Sequence, residues 1–130
     1  MAVITFQLTH GIQGKAMGGG DEPLLYREVG LRELNTCDLL DAQQEAERIG
    51  FAANGKAVSY VSDVQYGLSL LRRQIEYIGE IRGPIDINII RKLHVEDFDM
   101  IQRKAQELDQ ALAEDLAKRV EARGRSDSAG

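Results

Sequence analysis

The chain contains two histidines, His10 and His94, that could take part in metal binding or proton transfer. His10 follows an alternating N-terminal segment, and His94 separates two segments with helical patterns. A zinc site needs closely spaced His or Cys ligands, and neither histidine has such a neighbour in the sequence. We therefore predict structural or surface roles for both histidines, and no metal-binding residue.

Cys37 is the one cysteine of the chain and lies at the start of a predicted helix. A thiol at a helix N-terminus can become a nucleophile. Nucleophilic catalysis also needs a base, and no local motif brings a histidine to this thiol. Cys37 is thus predicted to be a small packing residue, and we predict no catalytic residue elsewhere.

Two further segments have a superficial likeness to ligand sites. The stretch GKAMGGGDEP is rich in glycine, but it lacks the GxxxxGK[ST] pattern of a phosphate loop. We interpret it as a hairpin tip and predict no cofactor. The acids Glu96, Asp97 and Asp99 cluster at a helix start, where the helix dipole favours negative charge. The dipole explains them better than a metal does.

Composition restricts the class of protein. The 130 residues suit one domain, and their net charge of −5 disfavours binding to nucleic acid. No apolar run approaches the roughly 18 residues of a membrane span. A lone cysteine fits a reducing compartment. We expect a cytoplasmic protein that binds neither nucleic acid nor membrane.

The N-terminal part predicts two strands. Residues 3–9 alternate between apolar and polar side chains, as a half-buried strand does. After the glycines Gly18–Gly20, residues 25–33 alternate in places and should pair antiparallel with the first strand. Because an isolated hairpin is marginally stable, it must lie on helices.

The remainder predicts four helices, separated by caps and glycines. Thr36, Ser62 or Asp63, and Asp86 are the expected N-caps, and Asn54-Gly55 marks a loop. Leu68, Leu71, Ile75 and Ile78 indicate a well-buried second helix. The predicted helices span residues 36–49, 63–81, 86–93 and 95–123.

The predicted fold is α+β and mostly α. A small N-terminal antiparallel β-hairpin packs on a bundle of three to four helices, the last of which is long. One domain occupies residues 1–123, and the small polar residues 124–130 form a disordered tail.

The last helix has an apolar stripe that should extend beyond its own domain. A helix over residues 95–123 would be about 43 Å long, whereas a compact domain of this length is roughly 36 Å across. The first half of the stripe can pack on the second helix. For Leu112, Leu116 and Val120, contact with a partner protein or self-association as a coiled coil explains the apolar side chains as well as packing within the domain does. These three are the predicted partner-binding residues.

Several blocks resemble the tail assembly chaperones of Mu-like and P2-like contractile-tailed phages. LRELNTCDLLDAQ (residues 31–43) is similar to the family's LRELTVGDLLDA segment. RRQIEYIGEI and KLHVEDFDMIQ are similar to its ARQI..IGGI and L..L.PEDF..LQ patterns, and the opening strand with its HGIQGK turn is also similar. The resemblance covers residues 3–112. Cys37 and His94 stand where small, turn-forming or proline residues are common in the family.

The resemblance implies a non-enzymatic chaperone. Such proteins bind the long helical tape measure protein while the tail is built, help recruit tail tube subunits, and are absent from the finished virion. Many exist in two forms, the longer made by programmed frameshift. The expected partners are therefore the tape measure protein and, through an extended form, the tail tube protein, in the cytoplasm of the bacterial host.

Three alternatives stay open at this point. A small structural tail or connector protein retained in the particle would have a similar composition. A small enzyme would need convergent polar groups, which the sequence does not reveal. A helix-turn-helix repressor would have a recognition helix beginning VEDFD, whose acids repel phosphates.

Overall fold

The computed structural model describes residues 2–14 and 24–128, with side chains up to Arg123. The glycine-rich connection at Gly18–Gly20 lies outside the described residues, as do the side chains of 124–130. The described elements are β1 (Ile4–Gly14), β2 (Leu24–Leu31), α1 (Thr36–Glu45), β3 (Glu47–Phe51), β4 (Ala57–Val61), α2 (Asp63–Gln74), β5 (Ile75–Ile78), β6 (Ile81–Arg82), α3 (Ile87–Lys92) and α4 (Val95–Ser128).

The sheet is larger than the sequence predicts. Four strands form an antiparallel sheet in the order β1-β2-β5-β6, and β3 and β4 form a second, two-stranded sheet. The prediction of a mostly α fold with a small N-terminal hairpin is therefore wrong. The β1–β2 hairpin is one half of a sheet that the middle of the chain completes.

β5 was predicted as helix because a bulge gives it helical spacing. Residues 75–78 were assigned to the end of the second helix because Ile75 and Ile78 continue its apolar pattern. The register with β2 shifts between Gly30 and Leu31, so that Glu76 is an extra residue in β5. This bulge turns both Ile75 and Ile78 to the buried face. A spacing of three is thus produced by an irregular strand.

β3 and β4 replace the predicted end of helix 36–49 and the loop after it. α1 ends at Glu45, and Arg48 donates to the carbonyl oxygens of Glu45 and Glu47. The segments on either side of Asn54-Gly55 are rich in strand-forming residues. Gly55 has a φ of +80°, as a tight hairpin turn requires. The Asn-Gly turn was correctly located, but it connects two strands.

The core lies between the four-stranded sheet and the helices. Val29, Leu31, Ile75 and Ile78 of the sheet are fully buried, and Ile101 of α4 is buried against the same cluster. The first half of α4 packs on β1, and α2 packs on both α1 and α4. The first half of the α4 stripe was predicted to pack on the second helix. Ile101, Ala105 and Leu108 are buried, but α4 packs on β1 as well as on α2.

The helix starts agree with the sequence except at α1. Ser62 and Asp86 are N-caps as expected. The N-cap of α1 is Asn35, one residue before the predicted Thr36, and it forms a capping box with Asp38. α4 continues to Ser128, five residues beyond its predicted end and into the predicted tail. The single-domain assignment stays a prediction.

Two carboxylates attach α1 to the rest of the fold. Both oxygens of Asp38 accept from the Arg32 guanidinium at 2.8 Å. Hydrogen bonding from Arg32, assisted by the Asn35 backbone N–H, lowers the pKa of Asp38. Glu45 accepts from the Ser69 hydroxyl and pairs with Arg73 and Arg72, and these contacts lower the pKa of Glu45.

Stability should therefore fall in acid. A carboxyl group whose pKa is lowered by folding stabilises the folded state above its unfolded pKa of about 4, and this contribution is lost as pH falls through the folded value. We expect the urea midpoint to decrease below about pH 4.5. In Asp38→Asn the midpoint at neutral pH should be lower and the acid dependence flatter. An acid dependence unchanged in Asp38→Asn would contradict this role.

Candidate partner-binding site

An open apolar groove runs between α2 and α4. Its volume is about 600 Å³, and its walls include Val64, Leu68 and Leu71 of α2, and Phe98 and Ala105 of α4. Val64 is 77% exposed, and Leu68 and Phe98 are half-buried. Apolar side chains on two helices thus remain in contact with solvent, although the core of the same helices is well packed.

Gly67 forms part of the α2 wall, and no close packing among the described residues requires a glycine there. A Cβ atom added to it would meet no described atom within 4 Å. Glycine in the interior of a helix costs about 1 kcal/mol relative to alanine. At Gly67 no close contact within the fold explains this cost. The missing side chain leaves room for the backbone of another chain to come close to the helix.

A second cavity extends the α2–α4 groove toward α3. It has a volume of about 330 Å³ and shares Leu68 and Phe98 with the first cavity, while Ile87, Ile90 and Leu93 add apolar surface on the far side. The two cavities therefore form one apolar trench. Ile90 is also part of the core, so this end of the trench has a rigid floor.

The rim of the α2–α4 groove is polar and partly acidic. Gln102, Gln106 and Asp109 line it on α4, and Asp63 lines it on α2. The Gln74 amide donates to Asp109 at 3.0 Å and connects the end of α2 to α4. A ligand of this groove should thus have an apolar face with polar or basic residues beside it.

The projecting stripe of α4, which consists of Leu112, Leu116 and Val120, continues the groove wall. Leu112 is half-buried against the core, whereas Leu116 and Val120 are 62% and 60% exposed. Leu116 follows Phe98 by eighteen residues, which is about five full helical turns. The projecting stripe therefore lies on the same face of α4 as the groove. Its predicted binding role stays a prediction.

The β3–β4 hairpin presents a second apolar surface. Ile49 and Phe51 are 74% and 78% exposed, and the paired strand adds Val58 and Tyr60. Ile49 is the last residue of the helix that the sequence predicts over residues 36–49. In the part of the chain that the structure describes, this sheet has two strands only, so its outer edges can accept a further strand.

The structure brings together two histidines that are remote in sequence. The rings of His10 and His94 stack with centroids 3.7 Å apart, and His10 Nε2 lies 3.4 Å from a carboxylate oxygen of Glu96. All three residues are exposed. Sequence reasoning missed this cluster because it depends on β1 meeting the start of α4.

The three acids at the start of α4 have three different roles, of which that of Glu96 is the contact with His10. Asp97 is fully buried and accepts from the backbone N–H groups of Thr9, His10 and Gly11. Asp99 pairs with Arg103 on the helix surface at 3.0 Å. The helix dipole alone was expected to explain these acids, but Asp97 is a long-range link to the bulge of β1.

Cys37 is exposed on α1 and is therefore not the packing residue that was predicted.

Among the described helices, none combines the length and hydropathy that crossing a bilayer would require.

An α+β fold with an open apolar groove on two helices, continued by an exposed stripe, is typical of proteins that bind other proteins. Comparison with protein families identifies the family to which the chain belongs. The chain belongs to the family described as tail assembly protein gp41, whose model matches residues 8–125. The resemblance to Mu-like phages is thereby confirmed, and the chain falls among their tail assembly proteins.

Individual relatives agree with the family. The Mu-like prophage FluMu protein gp41 of Haemophilus influenzae is 44% identical over 110 residues, which cover 85% of this chain and 82% of the relative. Two proteins of Escherichia phage Mu are each 39% identical over 105 residues. The match covers 72% of the probable tail assembly protein gp41 and 55% of the probable tail assembly protein FS-gp41, which is therefore longer. No solved structure matches the chain.

Proposed function

We propose that this protein is a non-enzymatic tail assembly chaperone that binds the tape measure protein while the tail is built. It covers apolar helical segments of that long protein until tube subunits replace it. The site of action is the cytoplasm of the bacterial host, and the chaperone does not remain in the virion. The tail assembly class follows from the family, and the tape measure protein is the partner that we propose.

The α2–α4 groove is the observation that carries this proposal. An amphipathic helix needs a trench with apolar walls on helices and polar rims, and residues spaced at i, i+3, i+4 and i+7 fill it. The groove offers Leu68, Leu71 and Phe98 for such contacts, and Gly67 permits close approach. The projecting stripe lengthens the surface along α4, which suits a partner made of long helices.

Recruitment of the tail tube protein is assigned to a longer form of the chain. The two relatives of phage Mu support this part, because they match this chain over the same number of residues and differ in length. The shared segment would bind the tape measure protein, and the additional segment would bind tube subunits. Detection of an extended product in infected or induced cells tests this assignment.

Co-expression with the tape measure protein of the same phage tests the binding. The wild-type chain should keep that protein in the soluble fraction and co-purify with it. Leu116→Asp combined with Val120→Asp places two charges on exposed apolar positions, so the fold should persist while the yield of co-purified tape measure protein falls at least tenfold. The physical cause of the lower yield is the free-energy cost of removing the new carboxylates from water when the partner covers them.

The control is Ala111→Asp combined with Lys118→Gln. It makes the same change in net charge at exposed positions of α4, but on the face opposite to Leu116. Capture should stay at the wild-type level in this control. Equal capture by all three proteins, with unchanged thermal midpoints, would remove the projecting stripe from the proposal. Failure of the wild-type chain to capture the tape measure protein would refute the proposed function.

The alternative function is a small structural tail or connector protein that stays in the particle. Mass spectrometry of purified particles separates the two. The chaperone should be absent from particles or far below the amount of tube protein, whereas a structural subunit would be present in fixed stoichiometry.

A further inference from the structure

Three potential metal ligands converge where β1 meets the start of α4. His10 comes from the bulge of β1, His94 directly precedes α4, and Glu96 lies in its first turn. One ligand atom from each of these side chains can be chosen so that all three lie within 4.8 Å of one another. The ring centroids of the two histidines are 3.7 Å apart, with an angle of 15° between the planes.

The backbone under this cluster is fixed by buried contacts. Asp97, next to Glu96, accepts from the N–H groups of Thr9 and Gly11 at 2.9 Å, with His10 between them. The two segments that carry the ligands are thereby held against each other. These hydrogen bonds fix the backbone from which the ligands extend, while the exposed ligand side chains can still turn toward an ion.

The donor set selects a class of ion. Two imidazoles and one carboxylate suit borderline dications such as Zn²⁺, Ni²⁺ and Cu²⁺, whereas Mg²⁺ and Ca²⁺ prefer sets made of oxygen. Three protein ligands leave a fourth position of a tetrahedral zinc site for water or another donor. We propose that His10, His94 and Glu96 form a binding site for a transition-metal dication, with Zn²⁺ as the probe.

Binding requires a small rearrangement of the exposed side chains. In the near-parallel stack the ring nitrogens do not point at one common position, so each ring must rotate to direct a lone pair at the ion. Both rings are exposed, and their rotation moves no core residue. His94 Nδ1 accepts from the Glu96 N–H at 3.1 Å, and ligation by His94 would replace this hydrogen bond with a metal–nitrogen bond.

The bound ion would connect the β1 bulge to the start of α4 and stabilise the folded chain by linkage. Phe98, which lines both cavities of the trench, lies one turn after His94. Metal binding would thus stiffen the end of α4 that forms the groove wall. The proposed site itself does not depend on the identity of the partner protein.

Isothermal titration of the tag-free chain with ZnCl₂ tests the proposal. We expect one Zn²⁺ per chain and a rise in the thermal midpoint, with no response to MgCl₂. His10→Phe keeps a stacking ring without a lone pair, and His94→Asn keeps a good N-cap at the start of α4. Each of these two variants should bind Zn²⁺ at least tenfold more weakly than the wild type. Glu96→Gln should weaken Zn²⁺ binding by a smaller factor.

The matched control is Cys37→Ser, because an exposed thiol can also bind Zn²⁺. This variant should bind as the wild type does. Thermal midpoints without metal establish that the histidine variants remain folded, and a visible d–d band of Co²⁺ that is lost in both of them reports ligation directly. Absence of one-to-one binding, or unchanged affinity in folded His10→Phe and His94→Asn, would overturn the proposal.

Discussion

Asp97→Ala should lower the free energy of unfolding by about 3 kcal/mol, because it leaves three backbone N–H groups of β1 without their acceptor, at roughly 1 kcal/mol each. The Asp97 carboxylate is fully buried, and its two oxygens accept from three successive backbone N–H groups of β1. These hydrogen bonds are only partly buried, so water can reach the freed donors, and the cost stays near the lower end of about 1–3 kcal/mol for each. Urea unfolding followed by circular dichroism measures the loss.

Two variants separate this network from the general effect of charge at a helix start. Asp99→Ala removes an acid two residues away that pairs with exposed Arg103, so the change should stay within about 0.5 kcal/mol. Asp97→Asn keeps an accepting oxygen and should recover part of the loss. If Asp97→Ala and Asp99→Ala cost the same, the helix-dipole interpretation would be sufficient and the proposed link to β1 would be refuted.

The contacts of Asp97 also show why sequence reasoning recognised the acids but not their role. Helix-start acids are a local signal, and the helix that they begin was correctly predicted. The bulge in β1 is not visible locally, because it appears only as a register shift between Gln7 and Ile12 against β2. A carboxylate and its three donors lie more than eighty residues apart, so no spacing rule connects them.

Bulges also explain the main error in the fold. Periodicity distinguishes a helix from a strand only when the strand is regular. In β5 the extra residue Glu76 places Ile75 and Ile78 on one face, and in β1 the bulge does the same for Leu8 and Ile12. Spacings of three and four therefore occur in strands of this protein. α4 was predictable because its long apolar stripe is not interrupted, whereas the second helix was predicted seven residues too long, to residue 81 instead of Gln74.

The site was partly predictable for a different reason. The overhang of α4 follows from helix length compared with domain size, and the structure confirms that Leu116 and Val120 are exposed. The α2–α4 groove was missed because a groove is a property of two elements and the gap between them. One local signal was present. Gly67 lies in the interior of α2, where glycine is unfavourable and no turn requires it.

Substitutions at Gly67 should have opposite effects on stability and on binding. Gly67→Ala should raise the free energy of unfolding by about 0.5–1 kcal/mol, because alanine restricts the unfolded chain and meets no atom in the fold. If a partner helix packs closely on α2 at this point, the same methyl group should weaken capture of the tape measure protein. Gly67→Trp should fill the groove and reduce the co-purified yield at least tenfold.

Glu107→Trp is the matched control, because it puts the same ring at an exposed position of α4 that does not line the groove. It should capture the tape measure protein as the wild type does. A folded Gly67→Trp variant with normal capture would show that the groove is not the binding site, whatever the behaviour of the projecting stripe. Stabilisation by Gly67→Ala together with weaker capture would show instead that glycine at this position serves binding, because a residue kept for folding alone would have been improved by the methyl group.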